Sequence, residues 1–368
     1  MKVLVTGTNG FIGKNLMLHL REQADTEVLS FVRGDSDAPL RAALLLADAV
    51  IHLAGENRPA SPDAFERVNA GLTRQICDDL RSLGKSIPLL LASSAQAESD
   101  NPYGRSKLAA EQAVAQLADD NGNPVAIYRL PGVFGKWCKP NYNSVVATFC
   151  HNKANDLSVQ INESNARIRL VYVDDVVKAF LSSLASPWTG LVRQAVQPEY
   201  SISIGELSAK IDAFKNCRST LMLERVGTGL TRALYATYVS YLPKDKFSYA
   251  VPAYADTRGV FVEMLKTPDA GQFSFITAHQ GITRGGHYHH TKTEKFLVIK
   301  GKARFGFRHM LTNEVYHLDT EGSKPQVVET VPGWTHDITN VGEDEMVVML
   351  WANENFDRQK PDTVASKV

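Results

Sequence analysis

The sequence has no excess of either charge, since Lys and Arg together number 40 and so do Asp and Glu. A protein that binds DNA, RNA or an anionic membrane through charge carries a basic surplus or a basic stripe. The balance therefore argues against nucleic acid and membrane surfaces as partners. It also predicts that any phosphate-bearing ligand is held by a local site.

Cysteine is scarce and long apolar runs are missing. The cysteines at positions 77, 138, 150 and 217 lack the paired spacing of zinc ribbons or redox dithiols, so we expect reduced, mostly buried thiols. No uninterrupted apolar stretch of roughly 18 residues occurs. The chain opens with a strand pattern rather than a secretion signal. We therefore expect a cytoplasmic protein.

At 368 residues the chain is long enough for two domains. Its first half alternates short apolar runs with amphipathic stretches, which predicts strand-helix units around a doubly wound parallel sheet of the Rossmann-like α/β class. The predicted strands are 2–5, 28–32, 49–53, 88–92 and 125–128, and the predicted helices are 14–23, 65–83 and 106–118.

From about Ser240 onward helical periodicity disappears, and short strand candidates lie between Gly, Pro and charged turns. This pattern predicts an all-β sandwich or barrel. Pro243 and Pro252 mark the joint, so we divide the chain into a domain of residues 1–243 and a domain of residues 244–368. We expect the last residues, from position 357, to form a surface tail. The strand candidates are 273–276, 294–299, 303–307, 314–318, 326–331 and 345–351.

A glycine-rich turn follows the first predicted strand and precedes the first predicted helix. Its spacing differs from the dinucleotide fingerprint Gly-x-Gly-x-x-Gly, but its position lets a pyrophosphate approach the helix N-terminus. Arg33 ends the second strand, where an acidic residue would mark NAD use. A cation there suits a 2′-phosphate and favours NADPH; in the alternative, Asp35 reads the ribose instead. The candidate contacts in the turn are Gly7, Asn9, Gly10, Phe11, Ile12 and Gly13.

A second cluster combines a serine at a strand end with a tyrosine and a lysine on the following helix. Ser94 ends the fourth strand, and Tyr103 and Lys107 are four residues apart, so they share one helix face. An ammonium beside the phenol favours the phenolate and makes tyrosine a usable proton donor and acceptor. These three residues are the candidate catalytic set.

Residues 1 to about 240 resemble extended short-chain dehydrogenases/reductases that act on nucleotide sugars, since the segments 128–135 and 171–176 also match motifs of that family. The resemblance implies that Ser94 orients the substrate carbonyl and Tyr103 transfers the proton. It implies that Lys107 holds the cofactor ribose and lowers the pKa of the tyrosine. It further implies that the end of the third strand packs under the nicotinamide half of the cofactor, through Leu53, Ala54 and Gly55.

Dehydratases of this family carry an acidic pair directly after the catalytic hydroxyl residue, where this chain has Ala95 and Gln96. Without a carboxylate there, elimination is disfavoured and carbonyl reduction is the expected reaction. A 4-epimerase that recycles a tightly held NAD⁺ is the alternative, and Arg33 argues against it.

Two histidines and a glutamate follow one another closely in the second half. His287 and His289 are two residues apart, so on a strand their imidazoles point to the same face, and Glu294 follows shortly after. With the later His336 they form a set suited to a divalent transition metal that keeps open coordination positions. His290 adjoins the pair and is the alternative ligand or base.

These spacings resemble the two motifs of the cupin family over residues 250–355. The first motif matches at its fixed positions, whereas the second departs because Pro332 and Gly333 adjoin directly. The segment 256–263, which includes Arg258, resembles the opening motif of cupin-type 3,5-epimerases of 4-keto-6-deoxy sugar nucleotides, which abstract a proton beside a ketone. The resemblance implies a Zn²⁺ site formed by His287, His289, Glu294 and His336.

The order of the two domains, the run 134–144 and the His-Tyr-His-His segment 287–290 together resemble bifunctional enzymes of capsule and O-antigen biosynthesis, and this similarity covers the whole chain. The resemblance implies a UDP-sugar substrate, UDP-2-acetamido-2,6-dideoxy-4-hexulose. Its C3 would be epimerised in the cupin and its C4 ketone reduced with NADPH to the talose product, on the route to UDP-N-acetyl-L-fucosamine. A homodimer is also implied. In the alternative, the cupin serves for dimerisation or ligand sensing, without turnover.

Overall fold

The computed structural model describes residues 1–58, 61, 63–256, 259–262, 264–265, 267, 271–354 and 359–368. Its contacts separate two compact units. The first unit comprises Met1–Ser144 and Ile168–Ser201, and the second comprises Val145–Arg167 and Ile202–Val368. By their contacts, residues 202–243 thus belong to the second unit, and the predicted domain boundary between 243 and 244 stays a prediction. Within the described ranges, no helix combines the length and apolar character needed to cross a membrane.

The helices lie mostly in the first two thirds of the chain. α3 continues through a π-helical turn at Glu66–Gly71 into α4. The helices are α1 (Phe11–Arg21), α2 (Asp37–Leu46), α3 (Asp63–Phe65), α4 (Leu72–Ser82), α5 (Pro102–Asn121), α6 (Val145–Ala154), α7 (Val173–Ala185), α8 (Ile204–Thr220) and α9 (Gly229–Val239).

The first unit is built around a parallel sheet. Its strands are β1 (Lys2–Thr6), β2 (Glu27–Phe31), β3 (Ala49–His52), β4 (Leu89–Ser94), β5 (Val125–Leu130), β6 (Gly132–Phe134), β7 (Arg167–Tyr172), β8 (Leu191–Gln194) and β9 (Glu199–Ser203). A six-stranded sheet runs in the order β2-β1-β3-β4-β5-β8, and each neighbouring pair is parallel. The predicted Rossmann-like class is confirmed.

Both faces of this sheet are buried, which explains why its strands are apolar throughout rather than alternating. Val3, Val5 and Ile51 pack on the side of α1 and α7. Leu4 and Val50 pack on the side of α2, α4 and α5. Because all strands run the same way, the residues after β1, β3 and β4 meet at the carboxyl edge of the sheet, where α/β folds bind ligands.

The second unit is dominated by antiparallel strands. They are β10 (Ser248–Ala250), β11 (Ala253–Asp256), β12 (Gly259–Val262), β13 (Gln272–Ala278), β14 (Thr283–Tyr288), β15 (Glu294–Lys300), β16 (Lys302–His309), β17 (Val315–Glu321), β18 (Gln326–Glu329), β19 (Trp334–Asn340), β20 (Met346–Ala352) and β21 (Val364–Ala365). Two five-stranded sheets form, in the orders β10-β18-β15-β20-β13 and β17-β16-β19-β14-β21. The predicted all-β class is confirmed.

The C-terminal residues are part of this β-structure. Val364 pairs with Tyr288 and Ala365 with His287, so β21 extends the sheet at the strand that carries the first predicted metal ligand. The prediction of a surface tail is therefore wrong for this segment. Its short polar sequence has no strand pattern of its own and takes its structure from the edge of β14.

Candidate functional sites

The glycine turn after β1 packs against both α1 and the end of β3. Gly7 has a φ of +74°, and a side-chain carbon there would lie 2.9 Å from the Ala54 Cα atom. A carbon on Gly13 would lie 2.3 Å from the Gly7 carbonyl oxygen, so neither position accommodates a side chain. The N–H groups at the start of α1 can therefore approach a pyrophosphate closely. The other predicted contacts of the turn are the exposed Asn9 and Gly10 and the half-buried Phe11 and Ile12.

Arg33 lies beyond β2 with its side chain 79% exposed, and it donates to Glu56 Oε2 at 2.6 Å. Burial would raise the pKa of Glu56, but its hydrogen bonds with the Arg58 backbone and with Arg33 lower it overall, so this carboxylate is ionised. Asp35, the alternative reader of the ribose, accepts the Val32 N–H at 2.8 Å. Arg33 is thus the exposed charge at this strand end, held by an acidic neighbour.

Ser94 ends β4 at the carboxyl edge of the sheet, and Tyr103 and Lys107 lie on the following helix, α5. Tyr103 stands in the first turn of α5, which Asn101 caps by accepting the Gly104 N–H at 2.8 Å. Burial raises the pKa of Tyr103, and a hydrogen bond with Ser94 opposes that rise. This direction keeps the phenol protonated at neutral pH, and the lowering by Lys107 that the resemblance implies stays a prediction.

Lys107 is buried one helical turn after Tyr103. Its Nζ atom donates to the Ala92 carbonyl at 3.0 Å, and burial lowers its pKa to about 8, against the opposing charge of Glu111. A side-chain carbon on Gly55 would come within 3.3 Å of the same Nζ atom. The predicted nicotinamide strand end and the predicted catalytic lysine thus lie next to each other. The N–H groups of Leu53 and Ala54 both donate to Thr6 Oγ1 at 3.1 Å, which fixes that strand end.

Asn69 is a buried polar residue of this site that the sequence analysis missed. It lies in the π-helical turn, donates to Ser106 Oγ at 3.0 Å and accepts the Glu56 N–H at 2.7 Å. It therefore connects the helix of Tyr103 with the loop after β3. Nothing in its sequence context signals this role, because the surrounding pattern is that of an ordinary amphipathic helix.

In the second unit, the four predicted metal ligands converge. One potential ligand atom from each of His287, His289, Glu294 and His336 lies within 4.8 Å of the others. The Nε2 atoms of His289 and His336 lie 3.3 and 3.4 Å from Glu294 Oε2. β14 supplies His287, β15 supplies Glu294 and β19 supplies His336, whereas His289 stands one residue beyond the end of β14.

The charge states of this cluster suit a metal ion. Burial lowers the pKa of His287 to about 3, and burial likewise lowers the pKa of His336. Burial would raise the pKa of Glu294, but the neighbouring rings of His289 and His336 hold it well below its usual value. Neutral imidazoles and an ionised carboxylate are the forms that bind a divalent cation. The donor set of three nitrogens and one oxygen fits Zn²⁺.

A cavity of about 230 Å³ opens beside the cluster. Lys292 lies on its wall, buried, with Nζ 2.7 Å from Glu294 Oε1. Asp337 also borders the cavity, but its carboxylate lies against Gly306 on the opposite face of β19 from His336, as strand alternation requires. Lys292 is thus a non-ligand charge in direct contact with the cluster. The apolar walls are Ile276, Phe296, Phe305, Ile338 and Leu350.

Two sequence expectations for this unit lie outside the cluster. His290, the alternative ligand, is absent from the group of four, and its ring packs edge-on against Tyr288 with centroids 5.5 Å apart. The epimerase-like segment at 256–263 includes Thr257, Arg258 and Glu263, which lie outside the described residues.

Comparison with known proteins assigns both halves of the chain. The NAD dependent epimerase/dehydratase family model matches residues 3–197, more than half of the chain. A polysaccharide biosynthesis C-terminal domain model matches residues 254–364. The chain therefore belongs to the NAD dependent epimerase/dehydratase family and carries that second domain after it.

The similarity extends over complete relatives. A UDP-2-acetamido-2,6-beta-L-arabino-hexul-4-ose reductase of Pseudomonas aeruginosa is 58% identical, over 100% of this chain and 99% of the relative. The capsular polysaccharide assembling protein CapF of Staphylococcus aureus is 41% identical, with each chain fully covered and a TM-score of 0.68. The resemblance to capsule-biosynthesis enzymes is thus confirmed. A UDP-glucuronic acid 4-epimerase of Bacillus cereus shares the fold, with 17% identity and a TM-score of 0.53. The aligned region spans 59% of this chain and 83% of the epimerase chain.

Proposed function

We propose that the chain is an NADPH-dependent reductase of a UDP-2-acetamido-2,6-dideoxy-4-hexulose that also epimerises C3 of that sugar. The product would be UDP-2-acetamido-2,6-dideoxy-L-talose, on the route to UDP-N-acetyl-L-fucosamine. One observation carries the proposal: the same chain contains two sites. The first is a Ser-Tyr-Lys set beside a glycine turn, and the second is a cavity with three histidines and one glutamate. The name of the relative that is 58% identical states a hexul-4-ose substrate.

In the first unit, Tyr103 gives its phenol proton to the C4 oxygen as the ketone becomes an alcohol, and Ser94 donates a hydrogen bond to that oxygen. NADPH, when bound, supplies the hydride that completes the reduction. The raised pKa of Tyr103 keeps the phenol protonated, which is the form that reduction consumes. The buried charge of Lys107 then stabilises the phenolate.

In the second unit, charge on the cavity wall would stabilise the enolate that forms when a base removes the C3 proton and before a proton returns on the other face; no residue is assigned as that base. A ketone at C4 acidifies the C3 proton, so epimerisation precedes reduction. Zn²⁺, held by the four ligands, would act as a Lewis acid on the ketone. Lys292 is placed to donate to the enolate oxygen as negative charge develops there. The cavity of about 230 Å³ beside the cluster is the candidate site for the sugar.

Arg33 supports NADPH rather than NADH. A 2′-phosphate brings negative charge to the end of β2, where the exposed guanidinium is the local cation. Asp35 already accepts a backbone N–H, which reduces its capacity to hold a ribose hydroxyl. We infer that the phosphate replaces Glu56 as the partner of Arg33.

A homodimer and a cytoplasmic location complete the proposal. β13 is an edge strand of its sheet, and its Phe273 and Phe275 are 48% and 69% exposed. Such an edge is a favourable surface for a second copy of the chain. All four cysteines are buried thiols rather than disulfides, as in a reducing compartment.

The reductase assignment is tested by mixing the protein with the UDP-4-keto sugar and NADPH and following the nicotinamide absorbance. We expect one NADPH oxidised per product and slower turnover with NADH. Turnover of the sugar with no net NADPH consumption would contradict the reductase and favour a 4-epimerase, an activity known for proteins of the same fold.

A further inference from the structure

Hydrogen bonds connect the C-terminal segment to the strand and turn that carry two of the predicted metal ligands. The Ser366 N–H donates to the Gly286 carbonyl at 2.9 Å, and Thr335 Oγ1 donates to the Ser366 carbonyl at 2.8 Å. These bonds and the pairing of β21 with β14 hold the chain end across the strand of His287. The segment just before β21 is thereby placed beside residues 289–292.

Asp362 organises that turn through its carboxylate. Oδ1 accepts the N–H of His290 at 2.9 Å. Oδ2 accepts the N–H groups of Thr291 and Lys292, each at 2.7 Å, and the Thr291 hydroxyl at 3.0 Å. Three consecutive backbone N–H groups therefore converge on one side chain that lies about 70 residues later. Successive backbone N–H groups arranged in this way form a nest that binds an anion.

The backbone of Asp362 acts on the ligand itself. Its carbonyl oxygen accepts a hydrogen bond from Nδ1 of His289. This bond leaves Nε2 as the ring nitrogen with a lone pair, and Nε2 is the atom that faces Glu294. A carbonyl behind a histidine ligand fixes both the ring orientation and the tautomer, and loss of such a partner typically weakens metal binding about 10- to 100-fold.

We propose that Asp362 is a positioning residue of the metal centre. Its carboxylate shapes the 289–292 turn and its carbonyl aims His289, so docking of the C-terminal segment and metal binding favour each other. The inference rests on the metal site put forward under Proposed function, but it does not depend on which reaction that site catalyses. Since coupling is reciprocal, the metal must stabilise the docked segment as much as the segment strengthens metal binding.

The test uses the full chain, stripped of metal and titrated with Zn²⁺ in competition with a chromophoric chelator. Asp362→Ala is expected to weaken Zn²⁺ binding about 10- to 100-fold, and Asp362→Asn to weaken it less, because one acceptor oxygen remains. Asp319→Ala is the matched control: it removes an exposed carboxylate that binds Arg304 in the same unit, and it should leave the affinity unchanged. Asp362→Asn keeps the test decisive if Asp362→Ala fails to fold.

Two further readouts separate positioning from general stability. With Co²⁺ as the probe, the visible spectrum of Asp362→Ala should change shape, whereas that of Asp319→Ala should match the wild type. Hydrogen exchange at the Ser366 and Lys292 amides should slow when Zn²⁺ is added to the wild type. Unchanged Zn²⁺ affinity and an unchanged Co²⁺ spectrum in folded Asp362→Ala would overturn the positioning role alone. A wild type that binds no Zn²⁺ would overturn the metal site and this inference with it.

Discussion

Glu329 binds one buried and one partly buried cation in the second unit, and we expect its substitution to lower the stability of the fold. Its side chain is 3% exposed and binds both Lys295, which is 1% exposed, and Arg218, which is 16% exposed. The Tyr235 hydroxyl donates to it at 3.1 Å. Glu329→Gln keeps the shape of the side chain but leaves the two cations without their anion.

The expected loss is about 3–5 kcal/mol of the free energy of unfolding, because breaking a buried ion pair strands a desolvated charge. For a unit of this size that corresponds to a fall in Tm of about 6–20 °C. Thermal unfolding followed by calorimetry or circular dichroism measures the shift. Asp319→Asn, which breaks an exposed pair with Arg304, is the matched control and should cost less than about 1 kcal/mol.

The same interaction has a pH signature. Burial would raise the pKa of Glu329, but Arg218 and Lys295 hold it below its usual value of 4.5. A depressed carboxyl pKa contributes stability above the unfolded pKa, and that contribution is lost as the pH falls through the folded pKa. The difference in stability between wild type and Glu329→Gln should therefore shrink below about pH 4.5. A Glu329→Gln protein within 1 kcal/mol of the wild type at neutral pH would refute the reasoning.

Four predictions concern the first unit. Tyr103→Phe should lower kcat for NADPH oxidation about 10²- to 10⁴-fold, as expected for loss of a general acid, with NADPH affinity unchanged; an unaffected kcat would exclude Tyr103 as the acid. The wild-type rate should also fall as the pH rises through about 8, where Lys107 loses its proton, and a flat profile across that range would contradict the role of its charge. Arg33→Ala should raise KM for NADPH but not for NADH, and equal effects on both would remove Arg33 from phosphate recognition. Gly13→Ala should abolish cofactor binding measured by fluorescence or calorimetry, because the added carbon meets the Gly7 carbonyl at 2.3 Å; retained binding would show that the turn can open.

The local parts of both sites follow from sequence spacing. Tyr103 and Lys107 share a helix face because helical residues four apart are neighbours. The glycine turn could be placed because a strand and a helix flank it. His287 and Glu294 follow from strand spacing, although His289 stands just beyond the strand and reaches the cluster through a turn that Asp362 holds.

The remaining features depend on contacts between distant segments. Asp362 lies 73 residues after His289. Because its segment has no strand pattern, the sequence predicts a surface tail there. Glu329 and Arg218 are 111 residues apart, and neither residue type is expected to be buried. Their partnership also helps to explain why residues 202–243, which the sequence pattern assigns to the first domain, belong by contacts to the second unit.

The central claim is that one chain exchanges the C3 proton in its second unit and reduces C4 in its first. The most direct test incubates the protein with the UDP-4-keto sugar in deuterated water, with and without NADPH, and follows deuterium at C3 by NMR. We expect exchange without NADPH, followed by reduction when NADPH is added. Tyr103→Phe should retain exchange and lose reduction, and His287→Ala should lose exchange. NADPH oxidation without deuterium at C3 would contradict the account and leave the second unit as a non-catalytic module.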